Sequence, residues 1–163
     1  MKYFAYGSNM SILRLQERVP SAKKLEVVTL KSHQLRFNMN GDDGSGKCNA
    51  FQTNNNEDTV IGALFEIDTN EKGALDRAES LGFGYDEKLV YVQNKSGEVF
   101  EALTYYAIKI DASLKPYSWY LNHVVIGAKE TKVPTDYLVV IESIDCIEDL
   151  DRIRDAKQRA IYS

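Results

Sequence analysis

Apolar and polar positions predict strands at Tyr3–Tyr6, Lys24–Leu30, Gln34–Met39, Ala50–Thr53 and Val60–Ile67, with partial alternation in the second and third. Gly7, Ser8 and Asn9 break the first strand, and the polar run Asn54–Asp58 separates the last two. Leu89–Gln93 and Val99–Ile110 predict a hairpin about Asn94–Gly97. Helical spacing begins at Ser11–Arg18 and stops near Pro20. Asp68, with Glu71 three residues on, predicts a capping box for a helix running to about Ser80 and ending near Gly82. Beyond Pro116 the pattern turns helical at Tyr117–Gly127, again after Pro134, and at Cys146–Ile161. In the last helix Ile147, Leu150, Ile153 and Ile161 lie near one face. Val139–Ile141 also fits a strand. The fold class expected is α+β, a compact, largely antiparallel sheet that can close into a small barrel, with flanking helices.

Composition narrows this picture. A chain of 163 residues, 44% hydrophobic and 27% charged, is read as one domain over 1–163 with an ordinary core. A net charge of −4 argues against nucleic acid. No apolar run reaches membrane-span length, and the N-terminus enters a strand without a signal-peptide pattern. Cys48 and Cys146 form no metal or disulfide pattern, so a reduced, cytoplasmic setting is expected.

Chemistry has few candidates. His33 and His123 lack ligand-like neighbours, so no metal is expected. The loop Asn40–Gly46 resembles a calcium loop, but Asp43 stands where the turn glycine belongs. Cys48 has no histidine at a recognisable spacing and is read as structural. Ser8 follows Gly7 between strand and helix, yet Asn9 and Met10 break the nucleophile-elbow pattern. Tyr6-Gly7-Ser8-Asn9 is then either a turn with an N-cap or a loop of backbone donors suited to a carboxylate or an oxyanion. Glu79, four residues after Leu75, falls on the face marked by Leu75 and Ala78. Burial there would raise its pKa towards that of a general base. Spacing alone leans to a rim glutamate paired with a Lys or Arg. Lys72, Asp76 and Ser80 form a separate polar row, and several of the 10 tyrosines could line a polar pocket.

These residues in this order resemble the gamma-glutamylcyclotransferase-like family from Tyr3 to about Ile144. The resemblance rests on Tyr3–Met10, Ala50–Thr53 before Val60–Phe65, Leu75–Glu79 leading to Gly84-Tyr85, and Tyr120 before Gly127–Glu130, with Pro134 and Tyr137 beyond. It implies a mixed β-barrel with flanking helices, and a cofactor-free enzyme of the acyl-transfer or lyase type. Such enzymes release a γ-glutamyl group as 5-oxoproline and free the attached amine. It further implies Glu79 as acid/base, Tyr6, Gly7, Ser8 and Asn9 as the substrate loop, and Tyr85, Tyr105 and Tyr120 as pocket hydroxyls. Tyr106 competes with Tyr105 for its place. Ser80 stands where the family pattern often has glycine. The partner implied is a small γ-glutamyl compound. A γ-glutamyl-lysine, a γ-glutamyl-protected biosynthetic intermediate or a silent binding module are the alternatives, and a homodimer is left open.

Overall fold

The computed structural model describes residues 1–163. Five strands, β1 (Lys2–Ala5), β2 (Lys23–Lys31), β5 (Thr59–Glu66), β6 (Tyr85–Gln93) and β7 (Val99–Ala107), close into a barrel in the order β1-β5-β2-β6-β7. β1 is antiparallel to β5, with Tyr3 opposite Phe65, and closes the barrel through a parallel contact of Tyr3 with Leu103. The hairpin β3 (His33–Asn40) and β4 (Gly46–Gln52) forms a second, two-stranded sheet. It is tied to β7 where the Ala107 amide donates to Asn49 Oδ1 at 2.9 Å. Phe4, Leu64, Phe65, Val28 and Val92 are fully buried, and in β1 and β5 consecutive residues are buried, so both faces of those strands are covered. No helix is long and apolar enough to cross a membrane.

Helix α1 (Ile12–Gln16) follows a three-residue 3-10 turn at Ser8–Met10. Helix α3 (Ser118–Thr131) lies against that turn because position 127 has no side chain. A Cβ there would stand 2.5 Å from the Ser11 amide nitrogen and 2.6 Å from Met10 Cβ. Gly127 is thus read as a packing residue that fixes the distance between α3 and the end of β1.

Helix α2 (Lys72–Ala78) is shorter than expected and its entry is built differently. Asp68 accepts from the Asn70 amide at 2.9 Å, but Glu71 does not close a capping box. Glu71 instead takes the Ser21 amide and hydroxyl, and Ser21 Oγ takes the Asp68 amide at 2.9 Å. A residue from the loop after α1 has inserted itself into the box. Leu75 is fully buried, whereas Ala78 is exposed, because the helix ends at that point. The ending is a Schellman motif: the Ser80 amide bonds Arg77 O at 3.1 Å and the Leu81 amide bonds Asp76 O at 3.0 Å. Ser80 therefore takes the left-handed conformation, φ 49°.

The C-terminal region departs most from expectation. Helix α4 (Thr135–Glu142) contains Val139–Ile141, so the strand reading fails there. Its backbone carbonyls at Val139 and Val140 bond the Ser143 amide, a local pattern that strand alternation cannot supply. The expected helix over Cys146–Ile161 reduces to α5 (Arg152–Arg159) and a 3-10 turn at Ala160–Tyr162. Residues 146–151 instead run beside the start of α3, where the Ser118 amide bonds Ile147 O at 2.8 Å. Leu150 and Ile153 are 87% and 84% exposed, so no apolar face holds this segment. Asp149 holds it: buried, it accepts Trp119 Nε1 at 2.8 Å and a two-point bond from Arg154 at 2.6 and 2.7 Å.

Candidate active site

The end of β1, the end of α2, the start of β6, β7 and α3 converge on one cavity. About 290 Å³ of space free of protein atoms lies there, part of it open to solvent. Tyr6, Gly7, Ser8 and Asn9 line it from the first loop, and Glu79, Tyr85, Tyr105 and Tyr120 line it from the later elements. All eight residues singled out in the sequence therefore meet. Tyr106 does not; its hydroxyl points to Asp86 at 3.4 Å. Tyr3 and Cys48 complete the lining.

Glu79 caps the C-terminus of α2, with its side chain 15% exposed. Burial raises its pKa above the ordinary glutamate value, while Arg18, Asn9 and Arg14 pull it back. The negative end of the helix acts in the same direction as burial. Asn9 Nδ2 donates to Glu79 Oε1 at 2.7 Å and to the Tyr3 hydroxyl at 3.1 Å. Arg18 Nη1 donates to Asn9 Oδ1 at 2.8 Å and stands 3.9 Å from Glu79 Oε1. The Asn9 side chain is thereby fully occupied, and its office is to aim the carboxylate. Glu79 Oε2 has no partner within the protein and is free to exchange a proton.

The hydroxyls divide by where their protons go. Tyr6 donates to Tyr105 O, Tyr85 donates to Cys48 O and Tyr105 donates to Asp76 Oδ1, each at 2.6 Å. Tyr120 instead accepts from the Cys48 amide at 3.0 Å, and Tyr3 accepts from Asn9. Tyr120 and Tyr3 donate to no oxygen or nitrogen of the protein; Tyr120 has only the Cys48 sulfur, a weak acceptor, beside it, so both protons can pass to a guest. Burial keeps the Tyr3 and Tyr120 phenols protonated well beyond the usual range. The amides of Gly7, Ser8 and Asn9 also have no acceptor within the protein, as expected at the open end of a 3-10 turn.

Gly7 serves a different neighbour from the one its sequence context suggested. A Cβ at position 7 would meet Cys48 Cβ at 2.8 Å and Sγ at 3.2 Å. The glycine admits the β4 backbone, whose Cys48 amide and carbonyl hold Tyr120 and Tyr85. Burial pushes the Cys48 thiol up to about 12, which keeps it neutral and a poor nucleophile. Sequence reasoning missed Cys48 and Tyr3 as wall residues. Tyr3 carried a signal, since it lies in the same short motif as Tyr6. Cys48 carried none, because it acts through its backbone.

Outside the cavity Ser8, Glu79, Tyr85 and Tyr120 continue into a wider cleft. Arg14, Arg18, Lys47 and Arg154 bring four cations to it. Lys47 pairs with Asp43 at 2.8 Å, which also gives the Asn40–Gly46 loop its role: Asp43 anchors Lys47 and Ser45.

Comparison with known proteins agrees with this architecture. The model of the AIG2-like family matches residues 59–140, half of the chain. The chain belongs to the AIG2-like family. Gamma-glutamylcyclotransferases of Bos taurus and Homo sapiens are each 29% identical to it over 149 residues, covering 88% of this chain and 78% of theirs. A solved structure named gamma-glutamyl cyclotransferase superposes with a TM-score of 0.89 at 23% identity, over 99% of this chain and 97% of that one. That likeness speaks to the shared barrel. The family match covers Glu79, Tyr85, Tyr105 and Tyr120, whereas the Tyr6–Asn9 loop lies outside it.

Proposed function

We propose that this protein is a gamma-glutamyl cyclotransferase. It converts a small γ-glutamyl amine or γ-glutamyl amino acid to 5-oxoproline and the free amine. The observation that carries the reading is Glu79 Oε2, a partnerless carboxylate oxygen of raised pKa facing a cavity of free amides and two free phenol protons. The named relatives support the same chemistry.

The substrate supplies its own nucleophile. Its α-amine attacks its γ-carbonyl carbon, one C–N bond forms in a five-membered lactam and the C–N bond to the leaving amine breaks. Holding the folded conformer supplies much of the acceleration, since well-oriented intramolecular reactions save about 7–11 kcal/mol. The α-ammonium must first lose a proton, and Glu79 takes it. Two protons leave that nitrogen in all, and both end on the departing amine, so the carboxylate is regenerated. The oxyanion of the tetrahedral intermediate needs neutral donors. The Tyr120 hydroxyl and the loop amides have the required free protons. No step calls for a nucleophilic side chain, which accords with a neutral Cys48 and a Ser8 without a base.

A panel of γ-glutamyl compounds, with 5-oxoproline and amine read by mass spectrometry, tests the reading. Product should form with wild type and fall away with Glu79→Gln, which keeps the size and the Asn9 bond but cannot take the proton. Wild-type rates from that variant would overturn the mechanism.

A further inference from the structure

Of the four cations on the outer cleft, Lys47 pairs with Asp43, Arg154 with Asp149, and Arg18 shares Glu79 with Asn9. Arg14 has no carboxylate partner. It is 7% exposed, and burial pulls its guanidinium down only to about 10, so it is charged at neutral pH. Nη1 donates to Gln158 Oε1 at 2.7 Å and lies 3.1 Å from His123 Nε2; Nε is buried without a partner, and Nη2 bonds nothing in the protein. His123 cannot neutralise it. Burial, with Arg14 beside it, holds that imidazole down to about 3 and therefore uncharged. A buried cation without a counter-charge is costly unless a ligand supplies one.

We infer that Arg14 is the specificity residue for the leaving group, receiving a carboxylate carried by the departing amine. This assignment rests on the cyclotransferase reading. The outer cleft shares Ser8, Glu79, Tyr85 and Tyr120 with the inner cavity and Arg14 lines only the cleft, so a group that extends out of the cavity past Glu79 meets it there. An α-amino acid leaving group places its carboxylate on the carbon next to the scissile nitrogen. Nη2 is free to give such a carboxylate a charge-assisted hydrogen bond, while Nε stays buried beneath it. The C-terminal segment has a part in this. Gln158 bonds Arg14, and the Tyr162 hydroxyl lies 2.6 Å from His123 Nδ1 and donates to Ser11 Oγ at 3.1 Å. Those residues are positioning residues for the cation, and they lie beyond the segment that the family model matches.

The test uses two substrates that differ by the carboxylate alone, γ-glutamyl-alanine and γ-glutamyl-ethylamide. Wild type should favour the first in kcat/KM by roughly 10- to 100-fold, chiefly through KM. Arg14→Met should bring the ratio close to one and melt no lower than wild type, because an unpaired buried charge has been removed. Equal use of both substrates by wild type overturns the assignment while leaving the cyclotransferase reading intact. An unchanged ratio in the variant, with both rates lowered together, overturns it as well and makes Arg14 an electrostatic support of Glu79. Absence of 5-oxoproline from either substrate overturns the underlying reading and this assignment with it. Should Arg14→Met not fold, product inhibition of wild type decides. L-alanine should inhibit at concentrations where ethylamine does not, and equal inhibition refutes the carboxylate site.

Discussion

The inner cavity and the outer cleft meet at Glu79 but are built on opposite principles. The cavity is neutral apart from Glu79, and each hydroxyl has an assigned direction: Tyr6, Tyr85 and Tyr105 give their protons away, while Tyr3 and Tyr120 keep theirs. The cleft is charged, lined by Arg14, Arg18, Lys47 and Arg154 and by the carboxylates of Asp42, Asp43 and Glu79. A neutral cavity keeps its donors preorganised for charge that appears only during reaction. An open, charged cleft suits a group that must arrive and leave. The difference separates the group being cyclised from the group being released.

The largest effect should come from the residue the two regions share. Glu79→Gln should lower kcat/KM by about 10³-fold, the scale of losing a general base. Because burial raises the Glu79 pKa, activity should fall on acidification at a pH above the ordinary glutamate range. Tyr120→Phe removes the free proton on the cavity side and should lower kcat by about 10²-fold with little change in KM. Tyr85→Phe is the contrast: its proton already goes to Cys48 O, so a loss in kcat equal to that of Tyr120→Phe would erase the proposed division among hydroxyls. Asn9→Leu removes the donor that favours the Glu79 carboxylate, so the acid limb of the pH–rate profile should move to higher pH, with a loss of about tenfold in activity at neutral pH. An acid limb that stays in place would mean that Asn9 does not govern Glu79.

The smallest effect concerns the turn that ends α2. Ser80 holds a left-handed conformation without being glycine, so Ser80→Gly should raise stability by roughly 0.5–1 kcal/mol, read as a higher denaturant midpoint at unchanged m. A lower midpoint would show that the serine side chain contributes more than its backbone strain costs.

Much of this was legible before any coordinates. Apolar runs bounded by turn residues located the barrel strands, although β6 begins at Tyr85 rather than at the expected Leu89. Tyr6-Gly7-Ser8-Asn9 and Glu79 stood out through the ordered family motifs, since spacing alone fitted a turn and a rim glutamate as well. Tyr105 could not be separated from Tyr106 by sequence, since neighbours on a strand differ only in which face they take; the barrel turned Tyr105 inwards to Asp76. The capping box failed for the same kind of reason: Ser21, distant in sequence, offered Glu71 a better partner.

The sequence by itself determined the strands by local pattern, and its family resemblance singled out the loop motif and Glu79 as candidates. Only the tertiary structure decided that Asn9 aims Glu79 across 70 residues of chain, that a neutral Cys48 orders two tyrosines through its backbone, and that Arg14 was left without a counter-charge. The C-terminal segment makes the reason plain. It is held by Asp149, Arg154, Gln158 and Tyr162, through polar contacts that leave no periodic trace. Burial patterns repeat along a chain and can be read from it, whereas a hydrogen bond between distant residues exists only once the fold has brought them together.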